Sequence, residues 1–206
     1  MLAAFAATLV GSPLARADAA DQPPVQAIWK PQEINFYFQS FTTFYSCTGL
    51  EDKLKRILKE LGVQGTVRVR SADCPTSVAR LPRVLLTVVS PVEATPQALA
   101  ERDKSKSKRE LSARVRGETE ELKNALEEFP AQWRRVPLTR GKLGLEPGDC
   151  ELIDELRRKV LPKLAVRVVN NNVSCTPNQL TLGQPQLEVE ALVALPKPDE
   201  AQKPPQ

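Results

Sequence analysis

Apolar and polar positions alternate first at Ile34, Phe36 and Phe38, which are separated by Asn35 and Tyr37 and followed by Gln39. This is the two-residue period of a strand with one buried face. A helical period follows. Leu50, Leu54, Ile57, Leu58 and Leu61 form one stripe, Thr48-Gly49-Leu50-Glu51 fits a capping box, and Gly62 supplies the stop. Residues 66–70 and 84–89 then read as strands, the second a continuous apolar run suited to a central position. The same order returns later. Asp149 can cap a helix whose stripe is Leu152, Ile153, Leu156 and Val160, ending near Pro162. Residues 164–169 and 187–193 read as strands, with Glu188 and Glu190 facing away from Leu187 and Val189.

The two halves share landmarks at nearly constant spacing. Trp29-Lys30 and Trp133-Arg134 stand 18 and 17 residues before Cys47 and Cys150. Leu54-Lys55-Arg56 and Leu156-Arg157-Arg158 follow those cysteines, then Val67-Arg68-Val69 and Val166-Arg167-Val168, then Cys74-Pro75 and Cys175-Thr176-Pro177. Agreement of this kind predicts an internal duplication. The expected fold class is therefore α+β: two strand-helix-strand-strand units, residues 29–92 and 131–195, each stapled by a disulfide, with a charged helical insert between them.

Cys47, Cys74, Cys150 and Cys175 form no Cys-x-x-Cys pair, and the chain has no histidine. That spacing disfavours a redox motif or a zinc site, so neither a metal nor a cofactor is expected. A helix of about 13 residues rises ~20 Å, and a strand of about six residues returns a similar distance. The strand's end thus arrives beside the helix start, which favours pairing Cys47 with Cys74 and Cys150 with Cys175 over the two other connectivities.

Residues 2–10 are apolar but too short for a spanning helix, and Ala15-Arg16-Ala17 places small residues as a signal peptidase requires. Residues 1–17 are expected to be a signal peptide cut before Asp18, with residues 18–28 a linker. The mature chain would then live in the periplasm or be secreted, with no transmembrane segment. The whole sequence carries 29 basic and 25 acidic residues, a net charge of +4, and loss of Arg16 makes it +3. So small an excess gives no reason to expect a nucleic-acid partner. Charge is instead segregated within the insert, residues 93–130: residues 102–116 carry seven basic and two acidic side chains, and residues 117–128 carry five acidic and one basic. Thr95-Pro96 reads as a helix start, and little of the insert is expected to enter the core. Residues 196–206 hold four prolines and no large apolar side chain, the composition of a disordered tail.

Seven of the nine aromatic residues beyond the leader lie between Trp29 and Tyr45. Phe36, Phe38, Phe41 and Phe44 suit the core of a chain with few aromatics elsewhere. Tyr37, Thr42, Thr43 and Tyr45 are the candidate ligand-facing set, since aromatic faces with hydroxyls suit a sugar or peptide. Glu33, Glu146, Asp149 and Glu151 are candidates for a carboxylate pair, although the positive end of a helix accounts for Asp149 and Glu151. The segments Trp29-Lys30-Pro31-Gln32-Glu33-Ile34, Phe41-Thr42-Thr43-Phe44-Tyr45-Ser46-Cys47, Gly148-Asp149-Cys150-Glu151 and Val160-Leu161-Pro162 resemble a family of exported proteobacterial proteins of unknown function. The resemblance implies an exported bacterial protein and brings no catalytic residues. The expectation is a non-enzymatic binding or assembly module of the cell envelope, its partner an envelope protein, peptide or polysaccharide. A carboxylate-dependent envelope hydrolase is the alternative, and a thiol oxidoreductase is a weaker one.

Overall fold

The computed structural model describes residues 22–72, 74, 78–79, 81–116, 127–139, 143–176, 179 and 185–196. Residues 1–17, expected to be a signal peptide, residues 18–21 of the expected linker and residues 197–206 of the expected disordered tail lie outside them. In chain order the elements are β1 (Val25–Tyr37), α1 (Cys47–Glu60), β2 (Gln64–Arg70), β3 (Arg83–Glu93), α2 (Pro96–Arg116), β4 (Phe129–Leu138), α3 (Cys150–Lys159), β5 (Val166–Asn172) and β6 (Gln186–Ala194). Short 3-10 turns precede and follow α3, at Pro147–Asp149 and Leu161–Lys163. The fold is α+β, with six strands in one antiparallel sheet of order β2-β3-β1-β4-β6-β5.

The sheet is two three-stranded halves joined at a narrow seam. β1 pairs with β3 from Ala27↔Glu93 to Tyr37↔Arg83, whereas β1 meets β4 only through Val25↔Ala131, Gln26↔Pro130 and Ala27↔Phe129. One core nevertheless serves both halves. Ile34, Phe36, Val67, Val69, Val84, Leu86 and Val88 of the first half share a cluster with Val136, Leu138, Leu187, Val189 and Ala191 of the second, and with the buried stripes of α1 and α3. Each helix ends against the other half: Arg134 of β4 donates to the Glu60 carbonyl (3.3 Å), and Lys159 of α3 donates to the Tyr37 carbonyl (3.0 Å). A second, smaller cluster of Ala27, Ala131, Trp133 and Leu192 lies at the seam, on the face of the sheet opposite α1 and α3.

Local chemistry sets the element ends. α1 begins at Cys47 because the Ser46 side chain accepts from the Gly49 N–H (3.1 Å), so the cap lies ahead of the Thr48 to Glu51 box expected from sequence. Glu51 instead accepts from the Val69 N–H (2.8 Å), which covers part of the free edge of β2. Gly62 ends α1 at φ 73°, where an added Cβ would sit 3.1 Å from the Leu192 carbonyl of β6. Gly65 has φ 131° and lies so close to β3 that a Cβ would strike the Thr87 carbonyl and Val88.

Cys47 joins Cys74 and Cys150 joins Cys175, with Cα–Cα distances of 6.0 and 5.6 Å. Other expectations need correction. β1 starts at Val25, so residues 25–28 are strand rather than linker, and Ala27 and Ile28 are buried. Glu93 at one end of the expected insert closes β3, and Phe129 and Pro130 at the other open β4, where Phe129 stacks on Trp29 at 4.7 Å. Phe41 and Phe44 are exposed, not core, because their segment leaves the sheet and crosses the start of α3.

Candidate functional site

The loop after β1 and the turn before α3 meet through two carboxylates. Asp149 is 1% exposed. Its two oxygens accept from Lys53 of α1 (2.7 Å each), from the Tyr45 hydroxyl and from the Glu146 N–H (2.7 Å). Asp149 thus stands at the helix start without capping it through its side chain, which differs from the sequence expectation. Two residues on, a single oxygen of Glu151 accepts from the Ser40 hydroxyl, the Phe41 N–H (2.9 Å), and both the N–H (3.3 Å) and hydroxyl (3.1 Å) of Thr42. The Ser40 hydroxyl in turn accepts from the Thr43 N–H (3.1 Å). Thr43 lies directly against Gly148, where no Cβ would fit. The sequence places a glycine there because the Thr43 side chain packs directly onto the backbone of the turn.

This clasp has a defined electrostatic state. Burial pushes the Tyr45 phenol far above its usual range, and the hydrogen bond to Asp149 and the charges of Asp149, Glu151 and Glu146 add to that shift. Tyr45 therefore remains a neutral donor at every physiological pH. Three donor groups make four hydrogen bonds to Asp149 and leave its carboxylate saturated, while four donors converge on one oxygen of Glu151 and tie the loop to the helix through that atom.

The candidate ligand-facing residues do not line one groove. Thr42, Thr43 and Tyr45 belong to the clasp, with Tyr45 turned inward against Phe38 at 5.8 Å between ring centroids. Tyr37, 56% exposed, stands on the outer face of β1. Among the described residues no group of three or more His, Cys, Asp or Glu side chains is placed to hold a metal ion.

A cleft of ≈ 430 Å³ opens beside the seam, between the start of α2 and residues 164–167. Its floor includes Trp133, whose indole N–H donates to Glu93 (2.8 Å) and whose ring lies 3.7 Å beneath the Arg167 guanidinium. Arg167 also reaches Glu93 (3.4 Å), and Lys30 pairs with Glu101 across the cleft mouth (3.0 Å). Hydrogen bonding to Lys30, and then its charge, hold the Glu101 carboxyl below the usual carboxylate range. Sequence reasoning passed over Arg167 and Glu93 because they lie 74 residues apart and meet only when the sheet is built. Trp133 and Arg167 both stand among the landmarks of the repeat, which carry no sign of a cleft. Comparison with protein-family models, with curated proteins and with solved structures finds no match to this chain.

Proposed function

We propose that the protein is a non-enzymatic, disulfide-stapled binding or assembly module of the bacterial cell envelope, exported by cleavage before Asp18. The observation that carries this reading is how the polar groups divide. Asp149, the buried carboxylate best placed for chemistry, is saturated by internal donors, and one oxygen of Glu151 is taken up by the loop, whereas the outer face of the sheet presents Tyr37 and the cleft presents Arg167 and Lys30 to solvent. Two disulfides agree with an oxidising compartment, and among the described residues no helix is long and apolar enough to cross a membrane.

A duplication origin belongs to the same proposal. It is supported by the sheet order, in which β1 and β4 are central neighbours, β3 and β6 flank them and β2 and β5 are the edges. A bridged cysteine also opens each of α1 and α3.

The native protein should begin at Asp18, and the purified mature chain should co-sediment with isolated bacterial envelopes without releasing sugar or peptide fragments. An intact Met1 on a cytosolic protein would overturn the export reading. Failure to sediment, or steady release of fragments, would overturn the binding reading.

A further inference from the structure

The outer face of the first sheet half carries an arrangement that folding alone does not favour. Arg70 of β2 lies directly opposite Arg83 of β3, and Arg83 is opposite Tyr37 of β1, so the three side chains form one row across neighbouring strands. Arg68 follows two residues along β2 on the same face. Like charges in register on an antiparallel pair repel. Among the described residues no carboxylate lies within ion-pair distance of Arg68 or Arg70, and Arg83 donates only to the Asn35 side chain (3.1 Å). All three arginines are exposed, as are Asn35, Thr66 and Thr87 around them, and Glu33, opposite Thr87, places one exposed carboxylate at the end of the face away from Arg70 and Arg83. The second half solves the same problem differently: Arg135 on its outer face lies between Glu188 (4.0 Å) and Glu190 (3.7 Å).

We propose that the outer face of β2, β3 and β1 binds an acidic polysaccharide, its carboxylates taken by Arg68, Arg70 and Arg83 and a sugar ring stacked on Tyr37. This rests on the binding-module reading and names its ligand class. Guanidinium forks match carboxylates in two-point geometry, and at a strand spacing of about 4.8 Å the row can engage successive acidic groups of a chain laid across the strands. Hydroxyl and amide groups of Thr66, Thr87 and Asn35 are suited to sugar hydroxyls. A single aromatic ring on the face does not make the stacking platform that single-stranded nucleic acid uses. Among the arginines the one aliphatic side chain, Leu85, is only partly exposed, and the exposed Leu81 stands at the margin, too little apolar surface for a protein to enter a lipid interface.

The mature full-length chain would be run in native gels containing polygalacturonate or neutral dextran. Retardation by polygalacturonate alone is expected, weakening as added salt screens the charges. Arg70→Gln with Arg83→Gln should reduce affinity at least about tenfold, equivalent to ~1.4 kcal/mol. Tyr37→Ala should reduce it several-fold, and Arg135→Gln should leave it unchanged. The double variant should melt no lower than the wild type because it relieves repulsion, which keeps loss of binding separate from loss of fold. Absence of retardation, equal loss with Arg135→Gln, or tighter binding to phosphatidylglycerol vesicles or single-stranded DNA would overturn the proposal. A chain that sediments with envelopes yet ignores polygalacturonate would remove this inference and leave the binding-module reading standing.

Discussion

On the outer face of β2 and β3 three guanidiniums stand without a carboxylate partner among the described residues, while on β4 and β6 Arg135 is flanked by Glu188 and Glu190. The free edges differ as well. β2 buries Val67 and Val69 and has Glu51 on one of its outward N–H groups, whereas β5 leaves Val168 and Val169 47% and 43% exposed. The strand order is shared and the surface chemistry is not. One half has its outer charges balanced internally, and the other holds them available. A sheet built from two similar halves can thus keep one for structure and open the other to a partner.

The largest effect should come from the contact that joins the halves. Asp149→Ala leaves the mostly buried Lys53 ammonium without its carboxylate and removes partners from Tyr45 and Glu146, so denaturant unfolding should show a loss of about 3–5 kcal/mol. A loss below ~1 kcal/mol would mean the halves do not depend on the clasp.

The bridges test whether each half is stapled by itself. Replacing Cys47 and Cys74 by Ser, or Cys150 and Cys175, should each cost about 3–4 kcal/mol, because each closes a loop of nearly 30 residues. Amide exchange should quicken first in the half that lost its bridge. Uniform quickening through both would show that the shared core transmits the loss.

Tyr45→Phe should cost about 1–2 kcal/mol by removing one donor from a buried carboxylate. Its pH signature is more telling. Because the folded phenol titrates well above the unfolded one, above about pH 10 the unfolded chain releases a proton that the native chain retains, and stability falls as pH rises. The Phe variant should lose that part of the alkaline decline. An unchanged slope would show that Tyr45 does not contribute to it.

The smallest effects should have opposite signs. Arg70→Gln removes a like-charge pairing and should raise stability by a few tenths of a kcal/mol, whereas Arg135→Gln separates a cation from two carboxylates and should lower it by a similar amount. Thermal melts at low and high salt measure both, and salt should shrink the difference.

Where the sequence is periodic, the fold could be read from it. The stripes of α1 and α3 and the apolar run of β3 depend on local spacing, and the cysteine pairing follows from how far a helix rises and a strand returns. The site was harder to read because its contacts are remote in sequence. Glu151 meets Thr42 across 109 residues and Asp149 meets Tyr45 across 104, so a carboxylate that reads locally as a helix-end charge is in fact a tertiary anchor. Phe41 and Phe44 misled for the same reason. Their composition suggests a core, but Glu151 holds their backbone across the start of α3 with both rings exposed. β5 was anticipated at residues 164–169 and runs from Val166 to Asn172, because pairing with β6 through an irregularity between Val168 and Asn170 carries three asparagines into the strand.

The clasp also bears on the order in which the chain acquires its structure. Each disulfide spans 27 or 25 residues and can close as soon as its own helix and returning strand exist, whereas the Ser40 to Tyr45 loop finds its acceptors only after more than a hundred further residues are present. Closing so long a loop raises the entropic barrier and slows folding. A chain emerging N-terminus first would hold an oxidised first half with that loop still unanchored until Asp149 and Glu151 arrive, just ahead of the strands that finish the sheet. The first half is then stapled long before its loop is anchored, and a circular permutant that brings residues 143–151 next to the loop they anchor should fold faster than the native order.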